Sequence, residues 1–414
     1  MKVRRHMQPL MLLLMAYAIA VPGLAQNQTV VPALTLEQAL NRARIKAPAL
    51  LSARARINEA RGRLQGASIL FQANPVIEGT VGPRFSTQGR TTDADVTVSQ
   101  DFEAFGRRNA RISGAQAEVT GAVAASQETG RQLLRDVAAA FMRALAAKER
   151  LNVLTDADNI ASDFLNTAER RYQAGDVPIL DVNLARTGAA RTHAELRSGL
   201  AELATAMGEI RVLLGMLPDE QFTPVGELKS FGQYDLGSLV NSALDRPDIK
   251  VLESELRQAE SDVRLGNTFK SPDFGVIGRY GRDQGDNIAA AGIRITIPVF
   301  SRGQELRATG TAQASRIRAE LNASKTAIRN EIGAAFDAYR FRTEAAQELQ
   351  NRALPSLQEN ETLARRSYEE GEIGLVELLL IRREILDTRL SYANTLLDAA
   401  LASVDLQFKA GVLK

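Results

Sequence analysis

The chain has 414 residues, of which 45% are hydrophobic and 24% are charged, and its formal net charge at neutral pH is +2. Such a balanced charge gives no electrostatic reason to expect nucleic acid as a partner. Cysteine is absent, which excludes disulfides, thiolate catalysis, thiolate metal sites and lipid attachment at a mature N-terminal cysteine.

Little else in the sequence offers catalytic chemistry. Of the two histidines, His6 lies in the first basic segment and His193 lies on a helical stretch, where a solvated side chain is expected. There is no glycine-rich loop of the kind that holds phosphates. We therefore expect no enzyme, no cofactor and no metal site.

Residues 1–25 have the organisation of a secretory signal peptide. Arg4 and Arg5 precede an apolar run from about Leu10 to Val21, and small residues follow before Gln26. The run is too short for a membrane-spanning helix, which needs about 20 apolar residues, and no later stretch comes closer. Any membrane insertion is therefore expected through β-strands. Removal of the signal takes away three cations and no acids, so the net charge changes from +2 to −1.

The mature chain begins with a short extended arm and then a helix. Thr35 to Gln38 has the form of a capping box, and apolar residues follow at helical spacing. This pattern predicts a helix to about Gln72, with a kink or break at Pro48.

From Asn74 the hydrophobic period changes from helical to alternating, which predicts a β-hairpin at about 74–104 with a polar loop from Ser86 to Thr92. Each strand has about 10 residues, the length that crosses a bilayer when tilted in a barrel. Taken alone, the same pattern also fits a hairpin on a soluble domain.

A long stretch without proline follows, from Arg107 to Tyr172. It predicts roughly 65 residues of continuous helix, about 100 Å at 1.5 Å per residue. Its apolar side chains are small and separated by charges, so we expect it to pack along neighbouring helices as in a coiled coil. A return helix is predicted from about Ile179 to Leu214.

The same order of elements then repeats. Residues 217–235 are rich in proline and glycine and are interpreted as a linker between repeats at 26–216 and 236–414. The second repeat contains a predicted hairpin at about 272–300, where Phe274 and Val276 pair with a strand that extends through Val299. A second long helix is predicted to reach Tyr368, with Pro355 as its only proline, and a second return helix ends near Gly411.

One turn sequence occurs in both repeats at the same spacing. The shared residues are Tyr172, Gly175 and Asp181 in the first copy, and Tyr368, Gly371 and Glu377 in the second. Each copy lies between two helical patterns, and its glycine suits the left-handed conformation that ends a helix. Both copies are therefore predicted to be tight turns between antiparallel helices.

Neither four strands nor these helices can close a core or a barrel in one chain, so the chain is expected to form a closed cyclic assembly. This reasoning predicts a short β-barrel continued by a helical tube and leaves the number of subunits open.

The signal sequence, the doubled order of helix, hairpin and helix, the segment Ile297–Gly303 and the doubled Tyr-x-x-Gly turn together resemble the TolC family of outer-membrane efflux proteins. The resemblance implies a mainly α fold, in which internally duplicated helical hairpins form a trimeric α-barrel in the periplasm. Four β-strands from each chain complete a 12-stranded barrel in outer-membrane lipid. The implied partners are two further copies of the chain, a periplasmic adaptor protein and an inner-membrane pump of the RND type. The segment Gln100–Arg108 is similar to the corresponding part of the heavy-metal, CzcC-type branch.

The resemblance also implies a role for the repeated turn, as the periplasmic tip where the tunnel narrows and the adaptor docks. Tyr172, Gly175, Asp181, Tyr368, Gly371 and Glu377 occupy those positions. Some members carry an arginine and a second carboxylate where this chain has Ile373 and Leu380, so their complete gate is not expected here. A ring of Glu377 carboxylates is one interpretation, and acids favoured by a helix N-terminus are the other.

The predicted function is a passive exit duct that conducts substrates from the pump across the periplasm and the outer membrane. The alternatives are a periplasmic adaptor of such a system and the outer-membrane channel of a type I protein secretion system. The sequence leaves metal ions, drugs and a secreted polypeptide open as substrates, and it leaves the resting state of the tip open.

Overall fold

A computed structural model describes residues 31–87, 89–103, 106–228 and 232–413 of the chain. The helices are α1 Leu36–Lys46, α2 Pro48–Ser68, α3 Arg107–Gln173, α4 Ile179–Leu214, α5 Leu236–Ala243, α6 Pro247–Thr268, α7 Gln304–Glu348, α8 Leu354–Glu369 and α9 Leu375–Lys409. A π-helical stretch, Leu349–Ala353, joins α7 to α8. The strands are β1 Ala33–Leu34, β2 Val76–Ser86, β3 Gly89–Phe102, β4 Thr223–Pro224, β5 Asp273–Asp283 and β6 Asp286–Thr296. The predicted mainly helical fold with two β-hairpins is confirmed, and the predicted signal peptide lies outside the described residues.

The first helical segment begins with the predicted capping box. The backbone N–H of Gln38 donates to Thr35 Oγ1 at 3.3 Å, and the N–H of Thr35 donates to Gln38 Oε1 at 2.9 Å. The predicted break at Pro48 is confirmed, because Ala47 is extended and Pro48 opens α2. The predicted end near Gln72 was wrong, since α2 ends at Ser68 and Ile69, with a ψ of 134°, has left the helical conformation.

The long helix α3 is continuous over 67 residues, as predicted. Its counterpart in the second half is not, because the π-helical stretch follows α7 and Pro355 lies in the first turn of α8. Proline has no N–H to donate to the carbonyl four residues earlier, and a wider turn is one way a helix accommodates that loss. The predicted second long helix therefore does reach Tyr368, but in two α-helical parts joined by the π-helical stretch.

The shorter helices stack end to end beside the long ones. The end of α4 meets the start of α2, where a Cβ on Gly215 would lie 3.2 Å from Pro48 Cδ. The end of α9 meets the start of α6, where Arg246 Nη1 donates to the carbonyl of Lys409 at 3.1 Å. Gly215 and Gly411 both have positive φ, so each ends its helix abruptly at the junction.

The largest core lies midway along the helices and combines both halves of the chain. Phe141 of α3 is fully buried there, with Ile210 and Leu214 of α4 on one side and Leu396 of α9 on another. The linker contributes Phe222 to the same cluster. Long-range packing therefore holds the two halves together at this level.

The four long strands form one antiparallel sheet in the order β2-β3-β5-β6. The predicted loop from Ser86 to Thr92 was wrong, because β3 begins at Gly89, whose φ of 125° a glycine adopts readily. The predicted pairing of Phe274 and Val276 with the following strand is confirmed, with Phe274 opposite Ile295. The strand was predicted to extend through Val299, but β6 ends at Thr296, two residues before Pro298, which has no N–H for the ladder.

Sequence reasoning did not predict the pairing of β1 with β4. These two-residue strands run parallel, and the N–H of Val225 donates to the carbonyl of Leu34 at 2.9 Å. The pairing attaches the N-terminal arm to the linker.

Across the described parts of the chain, none of the helices carries an apolar stretch long enough to cross a lipid bilayer.

Candidate functional site: the paired helical turns

The first copy of the repeated turn ends α3 with a Schellman motif. Gly175 has a φ of 80°, and its N–H donates to the carbonyl of Tyr172 at 3.0 Å. The N–H of Asp176 donates to the carbonyl of Arg171 at 2.9 Å. These two hydrogen bonds define the motif and satisfy carbonyls that the end of a helix leaves free. The extended Pro178 then precedes α4.

The second copy has the same geometry. Gly371 has a φ of 79°, and its N–H donates to the carbonyl of Tyr368 at 3.2 Å. The N–H of Glu372 donates to the carbonyl of Ser367 at 2.8 Å. Both glycines therefore adopt the predicted left-handed conformation, and the predicted helical turns are confirmed.

The structure brings the two turns together. The rings of Phe164 on α3 and Tyr368 on α8 lie 5.7 Å apart with an interplanar angle of 57°, and Arg171 Nη1 lies 3.5 Å from the Tyr368 hydroxyl. A small buried cluster surrounds this contact, and we call it the tip cluster. Its buried residues are Phe164, Ala168, Ala185, Ala364, Leu375 and Leu378. Both repeats thus contribute to one end of the molecule.

The two repeated tyrosines have different environments. Tyr368 is half-buried against the tip cluster, whereas Tyr172 is 45% exposed. Of these two tyrosines, only Tyr368 has an aromatic partner among the described residues. The sequence repeat predicted equivalent positions and gave no sign of this difference.

The repeated carboxylates lie in the first turns of the return helices, Asp181 in α4 and Glu377 in α9. Asp181 is half-buried and Glu377 is exposed. Acids at this position interact favourably with the positive end of the helix dipole. Within the described ranges, neither carboxylate forms an ion pair.

A cavity of about 360 Å³ lies next to the tip cluster, between α3 and α4 on one side and α9 on the other. Most of its lining is apolar, including Ile160, Val376 and Leu380, and the last two are more than half exposed. Cationic side chains reach it from two helices. They are Arg191, Arg382, Arg383 and Arg389.

Arg382 is the most unusual of these cations, and sequence reasoning missed it. Its guanidinium lies 5.2 Å from the centroid of the Phe164 ring. Burial lowers the pKa of Arg382 from its ordinary value, and the nearby Glu361 opposes this effect. The adjacent Arg383 is instead paired, with Glu195 at 2.9 Å and Asp387 at 2.8 Å. The sequence signal that could have identified Arg382 was the pair of consecutive arginines that follows an apolar run.

The sheet at the opposite end of α3 has two chemically distinct faces. On one face, Val81, Tyr280 and Ile293 are each more than 60% exposed. The other face carries ion pairs between strands, such as Arg279 with Asp95 at 3.2 Å and, across the middle strand, Arg294 of β6 with Asp101 of β3 at 3.5 Å.

Glycines make room for these ion pairs. Gly275 and Gly281 lie opposite Asp101 and Asp95 in the ladder, and a Cβ on Gly281 would approach Asp95 Cβ to 2.6 Å. A side chain at either position would displace a carboxylate. The sheet therefore has one apolar face and one charged face.

Long paired helices joined to a sheet with one exposed apolar face and one charged face are the form of a channel of the outer membrane. The chain belongs to the outer membrane efflux protein family, whose model matches residues 39–216 and 239–412. It is thus an outer-membrane channel of a tripartite efflux system, and its family is one of ducts rather than enzymes. The predicted family is confirmed.

Individual relatives agree with this assignment. The cobalt-zinc-cadmium resistance protein CzcC of Cupriavidus metallidurans is 25% identical over 367 residues, covering 88% of this chain and 86% of that protein. Among solved structures, CusC superposes with a TM-score of 0.77 at 18% identity and 91% coverage of both chains. VceC of Vibrio cholerae superposes with a TM-score of 0.74 at 18% identity, covering 91% of this chain and 96% of its own. These structural likenesses support the fold, and the match to CzcC agrees with the predicted branch.

Proposed function

We propose that three copies of the chain form one continuous duct. The four-stranded sheet has β2 and β6 at its edges. Strand edges and lipid-facing backbone are not tolerated in a bilayer unless the sheet closes, and three sheets side by side would supply a 12-stranded barrel. In this arrangement, the repeats at 26–216 and 236–414, joined by the linker at 217–235, each provide two barrel strands and one helical hairpin.

The paired turns would then form the periplasmic tip. The observation that carries this proposal is the contact between Phe164 and Tyr368, which joins both turns at the end of α3 remote from the sheet. A helix of 67 residues spans about 100 Å, so the turns lie far from a membrane that holds the sheet. Exposed apolar side chains and arginines beside the turns offer a docking surface for a periplasmic adaptor, and through it for an RND pump.

The substrates that we propose are divalent metal cations. The support is the name of the relative CzcC, a cobalt-zinc-cadmium resistance protein. The duct itself would be passive, because the pump supplies the driving force. Symmetry would repeat Glu377 and Asp181 three times around the tip, and rings of carboxylates concentrate cations.

Loss of the gene tests this function directly. A deletion strain should become sensitive to cobalt, zinc and cadmium, and expression of the intact chain should restore tolerance. A variant with Tyr368→Ala should restore less tolerance than one with Tyr172→Ala. Unchanged metal tolerance, together with the loss of export of a drug or of a secreted polypeptide, would reject metal cations as the substrate and leave the duct in place.

A further inference from the structure

An open cavity of about 580 Å³ lies where the second hairpin joins its helices. The connection from α6 to β5 forms one wall and the connection from β6 to α7 forms the other. Three cations line the cavity, Lys270, Arg302 and Arg307, together with Ile295, Ile297 and two prolines. No carboxylate belongs to the lining, so the cavity is strongly positive.

These cations have no acidic partners. Within the described part of the chain, no carboxylate lies within ion-pair distance of Lys270, Arg302 or Arg307. Arg302 Nε instead donates to the carbonyls of Pro298 at 3.1 Å and Val299 at 3.0 Å. These hydrogen bonds fix the guanidinium at the cavity, with its two terminal nitrogens available to a ligand.

The exit of the first hairpin differs in this respect. There Arg107 pairs with Asp273 at 2.8 Å, and Arg111 pairs with Glu103. Arg108 at the first exit has no carboxylate within ion-pair distance among the described residues, and its Nη2 donates to the carbonyl of Ser68 at 2.8 Å. One cation without a carboxylate partner therefore lies at the first exit, and three lie at the second. Arg307 also serves the fold, since its Nη1 donates to the carbonyl of Gly266 at 3.1 Å. The Lys270 ammonium and the terminal nitrogens of Arg302 have no hydrogen-bond partner among the described residues, and this free positive charge points to an external anion.

Exposed apolar side chains continue from the cavity along the outer face of the sheet. Ile297 is 71% exposed and Phe300 is 89% exposed, although neither has a polar group that benefits from water. A cationic pocket next to exposed apolar groups matches a ligand with an anionic head and an apolar tail. Positively charged and aromatic side chains take such positions where a protein passes from lipid to water.

We propose that this cavity binds the headgroup of an anionic phospholipid from the periplasmic leaflet of the outer membrane. The phosphate accepts hydrogen bonds from Lys270 and Arg302, and the acyl chains lie against Ile297 and Phe300. The inference rests on the proposed duct, because in that assembly the end of the sheet that joins the helices lies at the periplasmic leaflet. Three unpaired cations favour a headgroup with net negative charge over a zwitterionic one, whose own ammonium would be repelled.

The test uses the purified full-length protein in mild detergent, titrated with phosphatidylglycerol or with phosphatidylcholine and followed by native mass spectrometry. The variants are Lys270→Gln and the double variant Lys270→Gln/Arg302→Gln. The matched control is Arg316→Gln, which removes one exposed cation from α7, where Arg316 pairs with Glu320 at 2.7 Å. All variants are first compared with the wild type for oligomeric mass and for conductance.

We expect phosphatidylglycerol to bind about five-fold more weakly for each cation removed. Phosphatidylcholine binding and the Arg316→Gln control should not change. Equal binding of both lipids, or undiminished phosphatidylglycerol binding by the double variant, would overturn the inference. Displacement of phosphatidylglycerol by equimolar inorganic phosphate would also overturn it, because the site would then recognise a simple anion. Absence of phosphatidylglycerol binding in an intact oligomer would also overturn the inference.

These outcomes separate the lipid site from the proposed function. A protein that is not an oligomer of the outer membrane would contradict the duct itself. An outer-membrane trimer of normal conductance without lipid preference would contradict only the lipid site.

Discussion

The aromatic rings of Phe164 and Tyr368 meet at 5.7 Å and join helical hairpins from opposite halves of the chain. Tyr368 is the repeated tyrosine of the second turn, whereas Phe164 lies inside α3 at a position that has no special sequence signal. The contact places both Schellman turns at one end of the molecule. A channel that opens by moving its two hairpins apart would have to break this contact.

The first prediction concerns this contact. Replacement of Tyr368 by alanine should loosen the tip, because tilted aromatic pairs contribute about 0.5–1.5 kcal/mol beyond the area they bury. Amide exchange of the second turn should therefore accelerate, up to about ten-fold, and metal efflux should fall. Tyr172→Ala is the control, since Tyr172 is 45% exposed. Equal effects of the two substitutions would contradict the assigned contact, and Tyr368→Phe should preserve most of the wild-type behaviour.

The second prediction concerns the left-handed glycine of the second turn. Gly371→Ala should destabilise the turn by about 1–2 kcal/mol, because a side chain is disfavoured at its φ of 79°. Gly374→Ala in the same turn is the control, since Gly374 has a φ of −80° and open space around it. Hydrogen exchange of the turn distinguishes them, because exchange should accelerate more in Gly371→Ala than in Gly374→Ala, whose expected cost is only the weaker N-cap that alanine makes at the start of α9. Unchanged hydrogen exchange in the Gly371→Ala variant would contradict the turn geometry.

Much of this fold could be predicted from the sequence, because its main signals are local. The absence of proline predicted α3 over its whole length, and a repeated glycine predicted both turns. The predicted length of the first hairpin loop was wrong, since that length depends on the backbone conformation of a single residue, Gly89. The two-residue pairing of β1 with β4 depends on contacts between distant segments, which no local pattern specifies.

The candidate site could be predicted only in part. The six repeated residues were found from their spacing, and the structure brings their two turns together. Phe164 and Arg382 were missed because helical periodicity identifies a buried side of a helix and cannot identify which distant helix covers it. The difference between Tyr172 and Tyr368 was missed for the same reason.

The third prediction concerns the charge of the tip. Glu377→Gln should reduce the selectivity for cations over anions in single-channel recordings, because symmetry would repeat each lost carboxylate around the tunnel. Glu320→Gln on α7 is the control, since it removes a half-buried carboxylate that pairs with Arg316. Unchanged selectivity of the first variant, with a loss of about 0.3–1 kcal/mol in stability, would instead support a role at the helix N-terminus.

The fourth prediction concerns Asp262 on α6. Burial raises the pKa of Asp262 above its ordinary value of 3.8. The folded state then binds the proton more tightly than the unfolded state does. Folding therefore becomes less favourable as the pH rises from the ordinary pKa of 3.8 through the raised pKa of the folded state. Asp262→Asn should raise the unfolding temperature at pH 7 and should have no such effect at a pH well below 3.8, where Asp262 is protonated in both the folded and the unfolded state.

Glu260→Gln is the matched control for Asp262→Asn. Glu260 lies on the same helix but pairs with Arg318 at 2.7 Å, so its neutralisation should not stabilise the protein. A stabilisation of equal size in both variants at pH 7 would mean that the net charge of the helix, and not the burial of Asp262, determines the effect.

The measurement that tests the central claim most directly is the mass of the detergent-extracted protein after separation of the outer and inner membranes. We predict that the protein is found in the outer-membrane fraction with three times the mass of one processed chain. A monomer, or a species found in the soluble or inner-membrane fraction, would contradict the trimeric duct and the insertion of its sheet into the outer membrane.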